Sequence, residues 1–231
     1  MYHNLRFIAI EFVKLVPFYI SLVLYFTLVR QDHVWELWTT ALRCLPIVAL
    51  MFYVSIKAFA IKTHYRRSQL ILIGLMFSCA ADVMYNLMLL TLGMTCLGAT
   101  HICYMCAFGW HPLKIVLGIC LYIPAIGSIF FMVGHLSTMQ LIGLSIYYTL
   151  ITIMFWRSLV LALHVKSFLT FLAAVGAALF IASEALTAVI YILKVRLPSP
   201  RLQVMITYYA AQFAIALSTA DEGRLPTESE Q

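Results

Sequence analysis

Long apolar runs broken by short polar segments make up almost the whole chain. At about 20 residues per bilayer span, they predict eight helices, at approximately 13–29, 37–57, 68–90, 92–110, 113–133, 138–160, 167–193 and 200–219. Short connections imply antiparallel neighbours in one compact bundle. The pattern therefore predicts an all-α integral membrane protein, an eight-helix transmembrane bundle forming a single domain over residues 1–219. Only residues 220–231 (ADEGRLPTESEQ) are polar enough to form a disordered tail.

Composition supports the same class. Of the 231 residues, 64% are hydrophobic and 10% charged, with a mean hydropathy of +0.97, whereas a soluble domain carries about 25% charged residues. A formal charge of +6 would suit nucleic acid, but the basic residues sit between apolar runs, where they act as topology signals. No nucleic-acid partner is expected. With a cytosolic N-terminus, that side collects Arg6, Lys14, Lys57, Lys62, Arg66, Arg67, Lys114, Arg157, Lys166 and Arg224. The other side holds Arg30, Lys194, Arg196 and Arg201, and Arg43 is intramembrane. This imbalance predicts both termini in the cytosol. The first run lacks a short apolar core ending in a small-residue cleavage site, so it should persist as a signal-anchor helix. Cysteines 44, 79, 96, 103, 106 and 120 all fall in apolar segments and read as small reduced hydrophobes.

Among nine acidic residues, only Asp82 and Glu184 lie deep inside apolar runs. Ionised carboxylates in hydrocarbon are costly, so each marks a candidate functional position. The same local pattern precedes both: GLMFSCAAD (74–82) and GAALFIASE (176–184), with glycine eight residues before the acid. A parallel repeat of four helices per unit would explain the echo; so would coincidence. Depth is more informative. At 1.5 Å per residue from the non-cytosolic end, Arg43 lies roughly 9–10 Å deep, and Asp82, His101, Glu184 and Tyr208 about 12–14 Å. Side chains from five helices thus reach one layer, as one polar cavity requires.

Each member also has a structural reading. Asp82 can pair with Arg43, and Glu184 can sit as a neutral, hydrogen-bonded carboxyl. His101 can be an interhelical partner, while Tyr208, Tyr209 and Gln212 can act as packing and interhelical glue. Arg43 is near enough to the boundary to snorkel, and Pro46, one turn on, should free a helix carbonyl nearby. Two acids in a low-dielectric pocket suit general acid–base chemistry on an acid-labile bond, and equally a proton-coupled transporter or lipid flippase. Metal chemistry is poorly supported: Cys103 and Cys106 form a lone CxxC, and of seven histidines only His101 is deep. There is neither a GxSxG elbow nor a glycine-rich phosphate loop.

From about Ala41 to Ser218 the chain resembles the YhhN-like transmembrane family, which includes the animal lysoplasmalogenases. The matching stretches are ALRCLP (41–46), FSCAAD (77–82), ATHICYMCAF (99–108), Tyr147 through MFWR (154–157), ALFIASE (178–184) and ITYYAAQ (206–212). The resemblance implies an eight-helix protein that cleaves the vinyl ether bond of lysoplasmalogens to a fatty aldehyde and a glycerophospho-base. It implies catalytic roles for Asp82, Glu184 and His101, and substrate contacts from Arg43, Tyr104, Tyr147, Ser183, Tyr208, Tyr209 and Gln212. No metal or other cofactor is called for, and the partner is a lysophospholipid within the bilayer. Residence in the endoplasmic reticulum membrane is implied by the resemblance alone. Oligomeric state, homodimer included, stays open. Two departures matter. The family typically has Gly-Asp at Ala81-Asp82 and Ser-Asp at Ser183-Glu184, the latter extending the acid by one C–C bond, about 1.5 Å. A member whose activity has lapsed through that change is a further alternative.

Overall fold

In a computed structural model the described residues are 10–29, 37–59 and 66–220. Among them there is helix and no strand. A helical stretch over residues 10–14 leads into α1 (Val16–Leu28), followed by α2 (Leu37–Ala58), α3 (Arg66–Asn86), α4 (Leu90–Phe108), α5 (Ile115–Met132), α6 (Thr138–Val165), α7 (Phe168–Tyr191) and α8 (Pro200–Leu217). Every predicted run is a helix. The polar tail after Ala220, Arg6, Arg30 and Lys62 lie outside the described residues.

Six of these helices, α2 to α7, are long and apolar enough to cross a membrane. The two that fall short do so for different reasons. α1 has 13 residues, about 20 Å of helix against a hydrocarbon core of about 30 Å. α8 buries Tyr208, Tyr209 and Gln212, so much of its polarity reflects what it brings to the interior. α6 runs five residues beyond the expected end of its span. Arg157, counted among the cytosolic-side charges, lies well inside α6 and is fully buried; Nε donates to the Gly109 carbonyl (2.6 Å) and Nη1 to that of Pro112 (2.9 Å). The first bond occupies the carbonyl of the α4 C-cap, Gly109, and the second one in the loop that follows, so Arg157 holds the α4–α5 connection from inside α6.

Sequential neighbours pack together as α1–α2, α2–α3, α3–α4, then α5–α6, α6–α7 and α7–α8. Two further pairings, α4–α6 and α2–α8, close a ring. α1 lies over the α2–α8 seam, where Phe18 stacks on Phe213 (centroids 5.3 Å) and Tyr25 meets Tyr209 edge-on (5.3 Å). α5 leans on α6 from outside the ring: 6% of its membrane-length window is buried, against 50% for α6.

Both glycines of the sequence echo permit close helix contact. A Cβ at Gly74 would lie 2.4 Å from the Tyr104 ring of α4, and one at Gly176 would lie 2.9 Å from the Ala211 carbonyl of α8. In each case the glycine brings the third helix of a run of four against the fourth. At one end of the bundle, Glu11 ties the chain ahead of α1 to the end of α2. It accepts from Tyr53 Oη (2.6 Å), Lys14 Nζ (2.9 Å) and Lys57 Nζ (2.9 Å).

Candidate active site

Asp82 stands two turns along α3 from Gly74, on the face that meets α2 and α8, and is 2% exposed. Arg43 of α2 donates from Nε to Oδ1 at 2.9 Å, and Tyr208 of α8 donates to Oδ2 at 3.0 Å. The Tyr208 hydroxyl lies 2.6 Å from Ser78 Oγ. Ser78 accepts from Gln212 Nε2 at 2.7 Å, and Gln212 Oε1 accepts from the Tyr104 hydroxyl at 2.6 Å. Four helices thus contribute to one string of bonds ending on a carboxylate. Ser78, Tyr104 and Gln212 are fully buried, so each bond replaces water that the group has lost.

A second cluster forms around α6. His101 Nε2 lies 3.1 Å from the Tyr147 hydroxyl, and Nδ1 lies 3.3 Å from Met154 Sδ. The Tyr147 hydroxyl also faces the Glu184 carboxyl from α7. The two clusters meet through Phe180, whose ring is edge-on to His101 (4.8 Å) and to Tyr208 (5.7 Å). Tyr85, one turn beyond Asp82 on α3, is within electrostatic range of both carboxyls. Glu184 itself is half-buried.

The structure brings these residues together in two networks. Arg43, Asp82, Tyr104, Tyr208 and Gln212 share one network. His101, Tyr147 and Glu184 share the other. Tyr209 donates to the Arg43 carbonyl at 2.8 Å, adjacent to the carbonyl that the missing N–H of Pro46 would have reached. Ser183 donates to the Val204 carbonyl at 3.1 Å, locking α7 to α8. Arg43 Nη1 and Nη2 take no hydrogen-bond partner among the described residues, and the side chain is 23% exposed. Ser78 and Tyr85 were not singled out in the sequence; only their placement one helical turn on either side of Asp82 could have flagged them. Among the described residues no three His, Cys, Asp or Glu side chains gather as a metal site would require, and all six cysteines are free.

The YhhN family model matches residues 38–219, which include every residue of both clusters. The chain belongs to the YhhN family. Curated relatives agree: it is 31% identical to the cattle lysoplasmalogenase TMEM86A, over 93% of this chain and 91% of that protein. It is 30% identical to human lysoplasmalogenase TMEM86A over the same shares, and 30% identical to rat lysoplasmalogenase TMEM86B over 92% and 86%. No solved structure matches. The YhhN family and the apolar helices together make this a multi-pass membrane protein.

Proposed function

We propose that this protein hydrolyses the vinyl ether bond of lysoplasmalogens, using Asp82 and Glu184 within the bilayer. The observation that carries the reading is the pair of carboxyls in one polar layer, one held by Arg43 and Tyr208 and the other facing Tyr147. The names of the relatives support the substrate class.

A vinyl ether is cleaved by protonating its β-carbon, which leaves an oxocarbenium ion; water adds, and the hemiacetal collapses to aldehyde and alcohol. The requirements are a proton donor, an anion beside the developing cation and a positioned water, as in glycoside hydrolysis. Asp82 and Glu184 supply the first two. His101 and Tyr147 orient water, and the open Nη atoms of Arg43 meet the lipid phosphate. A substrate whose chain stays in hydrocarbon explains why the site lies inside the membrane.

The architecture we assign is one domain over residues 1–219 with eight spans, both termini cytosolic, in the endoplasmic reticulum membrane. Its helices follow a 4+4 plan. Supporting this plan, the pairings of α1–α4 recur in α5–α8, α2–α8 answers α4–α6, and both acids follow a helix-contact glycine by eight residues.

The test is aldehyde release from a 1-alkenyl lysophospholipid by purified protein in detergent, with Asp82→Asn and the ester-linked analogue alongside. Release that needs Asp82 and spares the ester is expected. Asp82→Asn with undiminished release would rule out the paired-carboxyl mechanism, and lipid uptake into proteoliposomes without aldehyde would favour transport. Hydrolysis that arises only in Glu184→Asp would indicate a lapsed enzyme.

A further inference from the structure

The hydrolase reading leaves the two carboxyls interchangeable; the hydrogen bonds around Asp82 do not. Arginine only donates, so Oδ1 accepts from Arg43. Tyr208 gives its one hydroxyl hydrogen to Oδ2 and must therefore accept from Ser78. Ser78 accepts from Gln212 Nε2, and Gln212 Oε1 accepts from Tyr104. Every donor in the string points toward Asp82.

The opposite polarity leaves one donor stranded. A protonated Asp82 would donate to Tyr208, Tyr208 to Ser78, and Ser78 to a turned-over Gln212 amide, whose nitrogen would donate to Tyr104. The Tyr104 hydroxyl hydrogen would then have no acceptor, because Gln212 is its one hydrogen-bond partner among the described residues and Tyr104 is fully buried. A buried donor left unpaired bears its whole desolvation cost. Nor can the ring readily move away, since it packs against the α3 backbone at Gly74, where even a Cβ would clash. Charge argues the same way. Arg43 is the one cation facing either carboxyl among the described residues, and it faces Asp82. Glu184 is 102 residues on from Asp82, and 102 residues on from Arg43 stands Ser145, whose hydroxyl is spent on the Leu141 carbonyl.

We infer that Asp82 is the standing anion of the site, that Glu184 is the proton donor, and that Tyr104 is the positioning residue that fixes this division through Gln212 and Ser78. The inference rests on the hydrolase reading for its chemistry. The Glu184 proton forms the new C–H bond at the β-carbon as the alkene electron pair moves to make the oxocarbenium. Asp82 stays ionised beside that cation. Water then bonds to the cationic carbon and returns a proton to the Glu184 carboxylate, after which the hemiacetal C–O bond breaks.

Infrared spectroscopy of the purified protein separates the two acids without needing turnover. A protonated-carboxyl band should vanish in Glu184→Gln and persist in Asp82→Asn; the reverse would overturn the assignment. The carboxylate band that is lost in Asp82→Asn should shift in Tyr104→Phe, because the far end of a hydrogen-bonded string polarises the near end. An unmoved band would overturn the positioning role, and Gln212→Met, which cuts the string elsewhere, carries the same expectation should Tyr104→Phe misfold. In the aldehyde assay Tyr104→Phe should lower kcat up to about tenfold with KM unchanged, the size of one buried hydrogen bond. A wild-type protein that releases no aldehyde sinks the hydrolase reading, and the donor role of Glu184 with it. A reversed infrared assignment in an active enzyme sinks the division of labour alone.

Discussion

Two carboxylates in this protein are each gripped by a tyrosine and a cation, and they serve opposite ends. Glu11, 4% exposed, takes bonds from Tyr53, Lys14 and Lys57. Asp82, 2% exposed, takes bonds from Tyr208 and Arg43. At Glu11 two cations answer one acid, so the charge is more than met and the cluster fastens one helix to another. At Asp82 one cation, Arg43, answers the acid it pairs with, and the second acid, Glu184, has no cation facing it among the described residues. A site with more acids than cations, placed in hydrocarbon, must keep a proton to balance its charge. The shortage of cations separates the proposed site from the clamp.

The largest effects that would break this comparison are on turnover. Asp82→Asn and Glu184→Gln should each cut aldehyde release at least about 100-fold, the range of one charge-stabilising or one acid–base group, while Glu11→Gln leaves it unchanged. Equal losses in all three would mean that the clamp and the site are one system. Stability should separate them next. Arg43→Met strands a buried anion and should lower unfolding stability by about 3–5 kcal/mol. Lys57→Met leaves Lys14 in place on partly exposed ground and should cost less than about 1 kcal/mol. Melting of both variants in the same detergent reads the difference, and matching losses would count against it.

Packing gives a smaller contrast. Gly74→Ala drives a methyl into the Tyr104 ring and should cost about 1–3 kcal/mol, whereas Gly127→Ala meets nothing within 4 Å and should melt like the parent. The smallest effect is on pH. Burial pushes the Glu11 carboxyl up, but bonds from Tyr53, Lys14 and Lys57 outweigh it and hold the group below its ordinary 4.5. A carboxyl depressed by folding gives stability that is complete above 4.5 and lost as pH falls through the lower folded value. Below pH 4.5 the melting temperature of Glu11→Gln should therefore fall less steeply than that of the parent; parallel curves would remove Glu11 from the acid response.

The helices were legible because burial in lipid demands long apolar runs, and eight such runs predicted α1 to α8 closely. The proximity of the polar residues was legible from counting: a helix rises by a fixed amount per residue, so Asp82, His101, Glu184 and Tyr208 fell at similar positions along their helices before any contact was known. Partners were harder to see. Ser78 and Tyr85 are ordinary residues in an apolar helix and acquire meaning only beside Asp82. Glu11 depends on Lys57, 46 residues away, and no local pattern joins them. Arg157 counted toward the cytosolic side as a charge near the end of its span, because the end of an apolar run does not reveal that the helix continues to Val165. The outlying place of α5 was invisible, since an apolar sequence does not say which apolar neighbour covers it.

The glycine before each acid has a historical consequence under the 4+4 plan. A chain built twice from one unit begins with two equivalent acids, and an assembly of identical copies must keep them so. Once both copies lie in one chain, each can mutate separately. Arginine at position 43 with serine at 145 is where the halves part company, so under that plan the division of labour inferred for the acids arises after the copies were joined.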